Sequence, residues 1–214
     1  MRTGYTVNGA DTIRYARVHR CGAILAGAAV VALLSAFFGG APIALPSIGS
    51  GGLTTGVPYR QELPLLSAVF LAAALDGPMA AHEEAGASRM HRTRNEYCAA
   101  MTAVVCAFSF LTETLAVDAG AGTVFVRSLL IWFGLALLSA RLLGQQLAWS
   151  VPLASVLLLI WYPLAWWDWT AAPASDPISW AVAAVALATG VVASGATAWR
   201  RKSFLGGKAR LPQR

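Results

Sequence analysis

Cys21 to Phe38 is an unbroken apolar run, long enough for a helix to cross the hydrocarbon core of a bilayer, which takes about 20 residues. No other feature limits the fold so strongly, because a segment in lipid must satisfy its own backbone N–H and C=O groups. A basic stretch precedes it, as in a signal peptide. The run nevertheless exceeds the usual h-region of about 7–15 residues, and no clear A-x-A site follows. It reads as a first transmembrane helix, residues 21–39.

Similar runs recur at residues 61–81, 97–117, 123–140, 148–167 and 178–199. The predicted fold class is all-α: a polytopic integral membrane protein with six transmembrane helices and cytoplasmic N and C termini. Composition agrees. The chain is 57% hydrophobic and 12% charged, against about 25% charged in soluble domains. Its net charge of +6 lies at helix ends, which suits a lipid bilayer as partner and gives no support to nucleic-acid binding.

Orientation follows from the polar stretch at residues 76–96, which holds Arg89, Arg92 and Arg94. Short loops rich in Arg and Lys stay in the cytoplasm. With this loop inside, alternation puts 14 of the 16 Lys and Arg on the cytoplasmic side, with Arg60 and Arg127 as the exceptions. Seven of the eight tryptophans then fall near a predicted interface, as aromatic belts do. Arginine outnumbers lysine 14 to 2 in an alanine-rich chain, which points to a GC-rich bacterial genome and hence a bacterial plasma membrane.

The connections have their own signals. Residues 1–20 read either as a short interfacial helix or as a basic tail, and residues 200–214 as a basic cytoplasmic tail. The Gly-, Pro- and Ser-rich residues 39–62 form a long outer loop. Its apolar piece at residues 41–48 dips into the interface, caps an outer cavity or belongs to a floppy connection. Thr93 and Glu96 match a capping box, which starts the third helix there. Asp118, Gly120 and Gly122 make a tight outer turn. Pro152 falls in the first turn of the fifth helix, and Pro163 kinks it further on.

Glu113 and Arg127 each lie seven residues from Gly120, so a hairpin turning at Gly120 sets them level as an intramembrane ion pair. Charges at that depth face protein, water or each other. The pair reads as a structural clamp or as the lining of a polar path. Other chemistry is missing its motifs. His82 and Glu83 begin a zinc-protease pattern, but Gly86 stands where the second His is needed, and His82, Glu83, Glu84 and His91 lack ligand spacing. Gly49 to Gly52 has no lysine to complete a phosphate loop. The chain is not expected to be an enzyme, nor to carry a metal or other cofactor.

Six crossings with both termini inside, an interfacial segment before the first and a helical elbow between the second and third resemble the membrane-spanning permease subunit of an ABC-2 type exporter. The resemblance is one of topology. It implies membrane transport with a separate cytoplasmic ATPase, a homodimer or paired permease, and a coupling segment containing Asp76, Pro78, Glu83, Glu84, Arg89 and Arg92. The alternative is a non-transporting membrane scaffold or immunity/accessory protein.

Overall fold

The structure, a computed structural model, describes residues 21–46, 54–74, 88–161 and 168–208. Among these are six α-helices: α1 (Cys21–Phe38), α2 (Tyr59–Ala73), α3 (Ser88–Ala116), α4 (Ala119–Leu143), α5 (Ser150–Trp161) and α6 (Pro177–Lys208). A 3-10 turn at Gln145–Leu147 joins α4 to α5. Four stretches are long and apolar enough to cross a membrane: Cys21–Phe38, Arg94–Ala116, Ala119–Leu143 and Pro177–Ser194. These are the features of a membrane protein.

The outer-loop expectation needs correction. Residues Pro42–Pro46 (β1) and Thr54–Pro58 (β2) pair as an antiparallel ladder, with Ile43 opposite Val57 and Leu45 opposite Thr55. Prolines stand at three of the four strand ends, where a missing N–H costs least. Two strands alone are marginal in water, and this ribbon is tied to the bundle at its base. Tyr59 N donates to Ala41 O at 3.2 Å, and Arg60 N to Gly39 O at 3.0 Å. Among the described residues the regular structure is therefore helical apart from one short β-ladder, and the ladder returns α2 to the end of α1.

Helix α3 starts at Ser88, not at the Thr93 capping box, which lies inside the helix. The same Thr-x-x-Glu spacing fits a helix interior, where capping has no role. Helix α4 starts at Ala119 because Asp118 caps it: its Oδ1 accepts from Ala121 N at 2.7 Å. The turn thus lies before Gly120, which is already helical. Gly122 has a different task. An added Cβ there would come within 2.8 Å of Phe110 O, so glycine lets α3 and α4 approach at the turn. Pro152 is in the first turn of α5; Pro163 lies outside the described residues.

Helix α4 is the hub, packing on α2, α3, α5 and α6, while α1 packs on α2 and α3. Leu129, Trp132 and Ala136 on α4 are completely buried. On its other side α4 meets α6 backbone to backbone. A Cβ on Gly134 would lie 2.4 Å from Ala186 O, and one on Gly190 2.4 Å from Gly134 O. Small residues permit such close packing where apolar burial adds little. The outward faces are apolar: Phe37 and Leu115 are each 78% exposed and Val192 69%. Surfaces like these suit lipid.

At the end where α4 leaves the bundle, Gly144 takes φ 96°, a conformation that favours glycine. The following turn is held from two sides. Ser139 Oγ donates to Leu147 O at 2.6 Å, and Gln145 Nε2 donates to Ala72 O at 3.0 Å. The second bond satisfies a carbonyl in the last turn of α2.

Candidate functional site

Arg60 and Arg127 lie toward the end of the bundle that carries the β-ladder, here called the hairpin end. Arg60, in the first turn of α2, reaches across to α3. Its Nε donates to Glu113 Oε2 at 2.7 Å, and its Nη2 donates to Ser35 O on α1 at 3.4 Å. Glu113 is fully buried, whereas the Arg60 side chain keeps 23% of its surface exposed. Gly39 makes room for Arg60, since a Cβ there would sit 3.0 Å from Arg60 Cβ. One guanidinium therefore joins three helices.

Arg127, also fully buried, has different partners. Its Nη1 donates to Pro173 O at 2.7 Å, and its Nη2 donates to Trp169 O at 2.8 Å and Ala172 O at 2.6 Å. The planar fork of arginine suits three acceptors fanned across one loop. That loop is shaped by its own acids. Asp168 Oδ1 accepts from Thr170 N, Thr170 Oγ1 and Ala171 N. Asp176 Oδ2 accepts from Ser179 N and Oγ and so caps α6. These bonds from Ser179 hold the Asp176 carboxyl below the usual carboxylate range, with Arg127 adding to the effect. Trp169 packs edge-to-face on Trp132, with centroids 5.6 Å apart.

The expected Glu113–Arg127 ion pair is thus replaced by two separate arrangements. The reason is the position of the turn. With Asp118 as the cap, Glu113 lies within a turn of the end of α3, whereas Arg127 lies more than two turns into α4. At about 1.5 Å per residue the two differ in depth by about 7 Å. In the sequence Arg60 reads only as a loop charge. One signal was available, because Arg60 is the other cation placed on that side of the chain and Glu113 needs a partner.

The inner face of α3 runs Tyr97, Met101, Val105, Ser109, Glu113 at four-residue spacing, all buried. Polar atoms collect toward the hairpin end of this face. Glu113 Oε1 and the hydroxyls of Ser109 and Thr114 have no hydrogen-bond partner. Of the expected coupling segment, Asp76, Pro78, Glu83 and Glu84 lie outside the described residues, as does His82. Arg89, His91 and Arg92 lie on α3. Among the described residues no three His, Cys, Asp or Glu side chains come together to hold a metal. Cys21, Cys98 and Cys106 are free, partly buried thiols.

No family model, curated protein or solved structure matches this chain.

Proposed function

We propose that this chain is the membrane-spanning permease subunit of an exporter, energised by a separate cytoplasmic ATPase and working as a homodimer or paired permease. Charged groups inside membrane bundles are costly and tend to mark the routes of polar substrates or ions. The observation that carries the reading is the Arg60–Glu113 pair, set among helices with lipid-suited faces, with Glu113 Oε1 left without a partner. The chain has no phosphate loop of its own, so energy comes from another protein. Residues 76–96, with Arg89 and Arg92 at the start of α3, are the segment proposed to meet that ATPase.

The full topology in this reading has six crossings, with both termini in the bacterial cytoplasm and the β-ladder outside. In this reading the second crossing is residues 61–81 and the fifth residues 148–167. An impermeant thiol reagent on intact cells, in a background without native cysteines, marks cysteines placed at Ser50 and Ser175 and leaves one at Ser88 unmarked. Labelling at Ser88 reverses the orientation.

A second reading, a non-transporting scaffold or accessory protein, is favoured by Arg127. Three carbonyl bonds to one loop are what a rigid clamp needs. The readings separate in one experiment. In the permease, the double variant Arg60→Gln/Glu113→Gln accumulates in membranes but no longer supports export, and mild-detergent purification of the native chain brings an ATPase with it. In the scaffold, the double variant keeps its function and no ATPase is recovered.

A further inference from the structure

Helix α6 outruns the helix it packs against. Both α4 and α6 run away from the hairpin end, where Arg127 near the start of α4 holds the loop that leads into α6. Further along, Gly134 lies level with the Ala186–Gly190 turn of α6, because a Cβ on Gly134 would meet Ala186 O and one on Gly190 would meet Gly134 O. Leu143, the last residue of α4, comes nine residues after Gly134 and is therefore level with residues 195–199, yet α6 continues to Lys208. At about 1.5 Å per residue α6 projects roughly 14–20 Å beyond α4.

The same register sets the depth of the projection. Arg141, exposed in the last turn of α4, is level with residues 193–197 of α6, where the apolar stretch Pro177–Ser194 ends. Arg200 stands about 4–10 Å further out. That is the depth of the headgroup layer, which is about 5–8 Å thick on each side of the hydrocarbon core. Arg200, Arg201 and Lys202 follow one another in α6, about 100° apart round the axis and within about 3 Å along it. Their positions encircle the helix at one level.

From Pro177 to Arg214 the chain holds six bases, Arg200, Arg201, Lys202, Lys208, Arg210 and Arg214, and no acid. No carboxylate stands three or four residues away to pair with a base, the usual support of a helix outside a packed core, and short helices in water are marginal in any case. The counter-charge has to come from outside this segment. Topology alone asks only for bases near a helix end on one side of the membrane; it does not ask for them to surround the helix above the core. A protein partner would read one face of α6, whereas a charge on all sides at headgroup depth matches the lipids that lie on all sides.

We propose that the projecting end of α6, through the collar Arg200, Arg201 and Lys202, binds the phosphates of an anionic phospholipid surface. Binding of this kind needs only a bundle that spans a membrane, so it stands whether or not the chain is a permease. A nitroxide is attached through Ser203→Cys in the full chain, with Cys21, Cys98 and Cys106 changed to alanine, and the protein is placed in nanodiscs of phosphatidylcholine alone or mixed equally with phosphatidylglycerol. The rotational correlation time of the probe at least doubles in the mixed discs, and added NaCl reverses the change, as screening requires. Arg200→Gln/Arg201→Gln/Lys202→Gln removes the difference between the discs, whereas Arg200→Lys/Arg201→Lys, which keeps the charge, preserves it. The salt arm needs no charge variant. Equal correlation times in the two discs, or a difference that survives either high salt or the triple change, overturn the assignment and leave the collar to a soluble acidic partner or to water.

Discussion

Arg60 Nε and Glu113 Oε2 meet at 2.7 Å although 53 residues separate them in the chain, and the two ends of this bond are buried unequally. Removing Arg60 strands a fully buried carboxylate, at a cost of about 3–5 kcal/mol. Removing Glu113 leaves a guanidinium that already reaches solvent and can turn toward it. Arg60→Gln is therefore more damaging than Glu113→Gln, and the double variant recovers much of the loss because two amides still hydrogen-bond. Unfolding midpoints of the three variants check the order. Glu113→Gln combined with Arg127→Gln is additive, as expected of groups without a shared partner.

Arg127→Lys does not rescue Arg127→Gln. A compact ammonium cannot reproduce a planar fork aimed at Pro173, Trp169 and Ala172. With a charge-assisted bond contributing about 1.5–3 kcal/mol, losing even one is measurable. Limited proteolysis should show residues 168–176 cut faster in both variants than in the native protein.

Gly134→Ala and Gly190→Ala each force a methyl into opposing backbone, at 2.4 Å in both cases. Overpacking of this kind costs about 1–3 kcal/mol, and here it should part α4 from α6. Gly22→Ala is the control, since nothing lies within 4 Å of the added methyl. Its midpoint is unchanged or slightly raised, as alanine favours helix.

The cap on α6 sets an acid limit. The Asp176 carboxyl titrates lower in the folded chain than in the unfolded one. Its contribution is therefore present above the ordinary carboxylate range and is lost as pH falls through the depressed folded value. Unfolding midpoints from pH 6 to pH 2 should fall in the native protein. In Asp176→Asn, which keeps an acceptor but not the titration, that part of the slope disappears.

Hydropathy made α1, α3, α4 and α6 legible before any coordinate, because lipid demands long apolar helices with internal hydrogen bonds. The register of the α3–α4 turn was not legible. Asp118, Gly120 and Gly122 are equally good turn residues, and only the bond from Ala121 N to Asp118 makes the aspartate the cap. That shift of a few residues separates Glu113 from Arg127. Arg60 was hidden for another reason. Its approach to Glu113 depends on pairing Pro42–Pro46 with Thr54–Pro58, two short proline-bounded segments without a clear alternating pattern.

The acceptors of Arg127 stand 42 to 46 residues after it in the chain. At about 5–20 residues per second of synthesis, α4 emerges roughly 2–9 s before the loop that receives its guanidinium. Throughout that interval the arginine has none of its three carbonyls, and only α2 and α3 are available to set the depth of α4. The native setting of Arg127 is complete only after α5 and Trp169 to Pro173 have been made, which predicts that α4, α5 and that loop reach their final arrangement together. A nascent chain halted after Trp161 would hold α4 short of its native position.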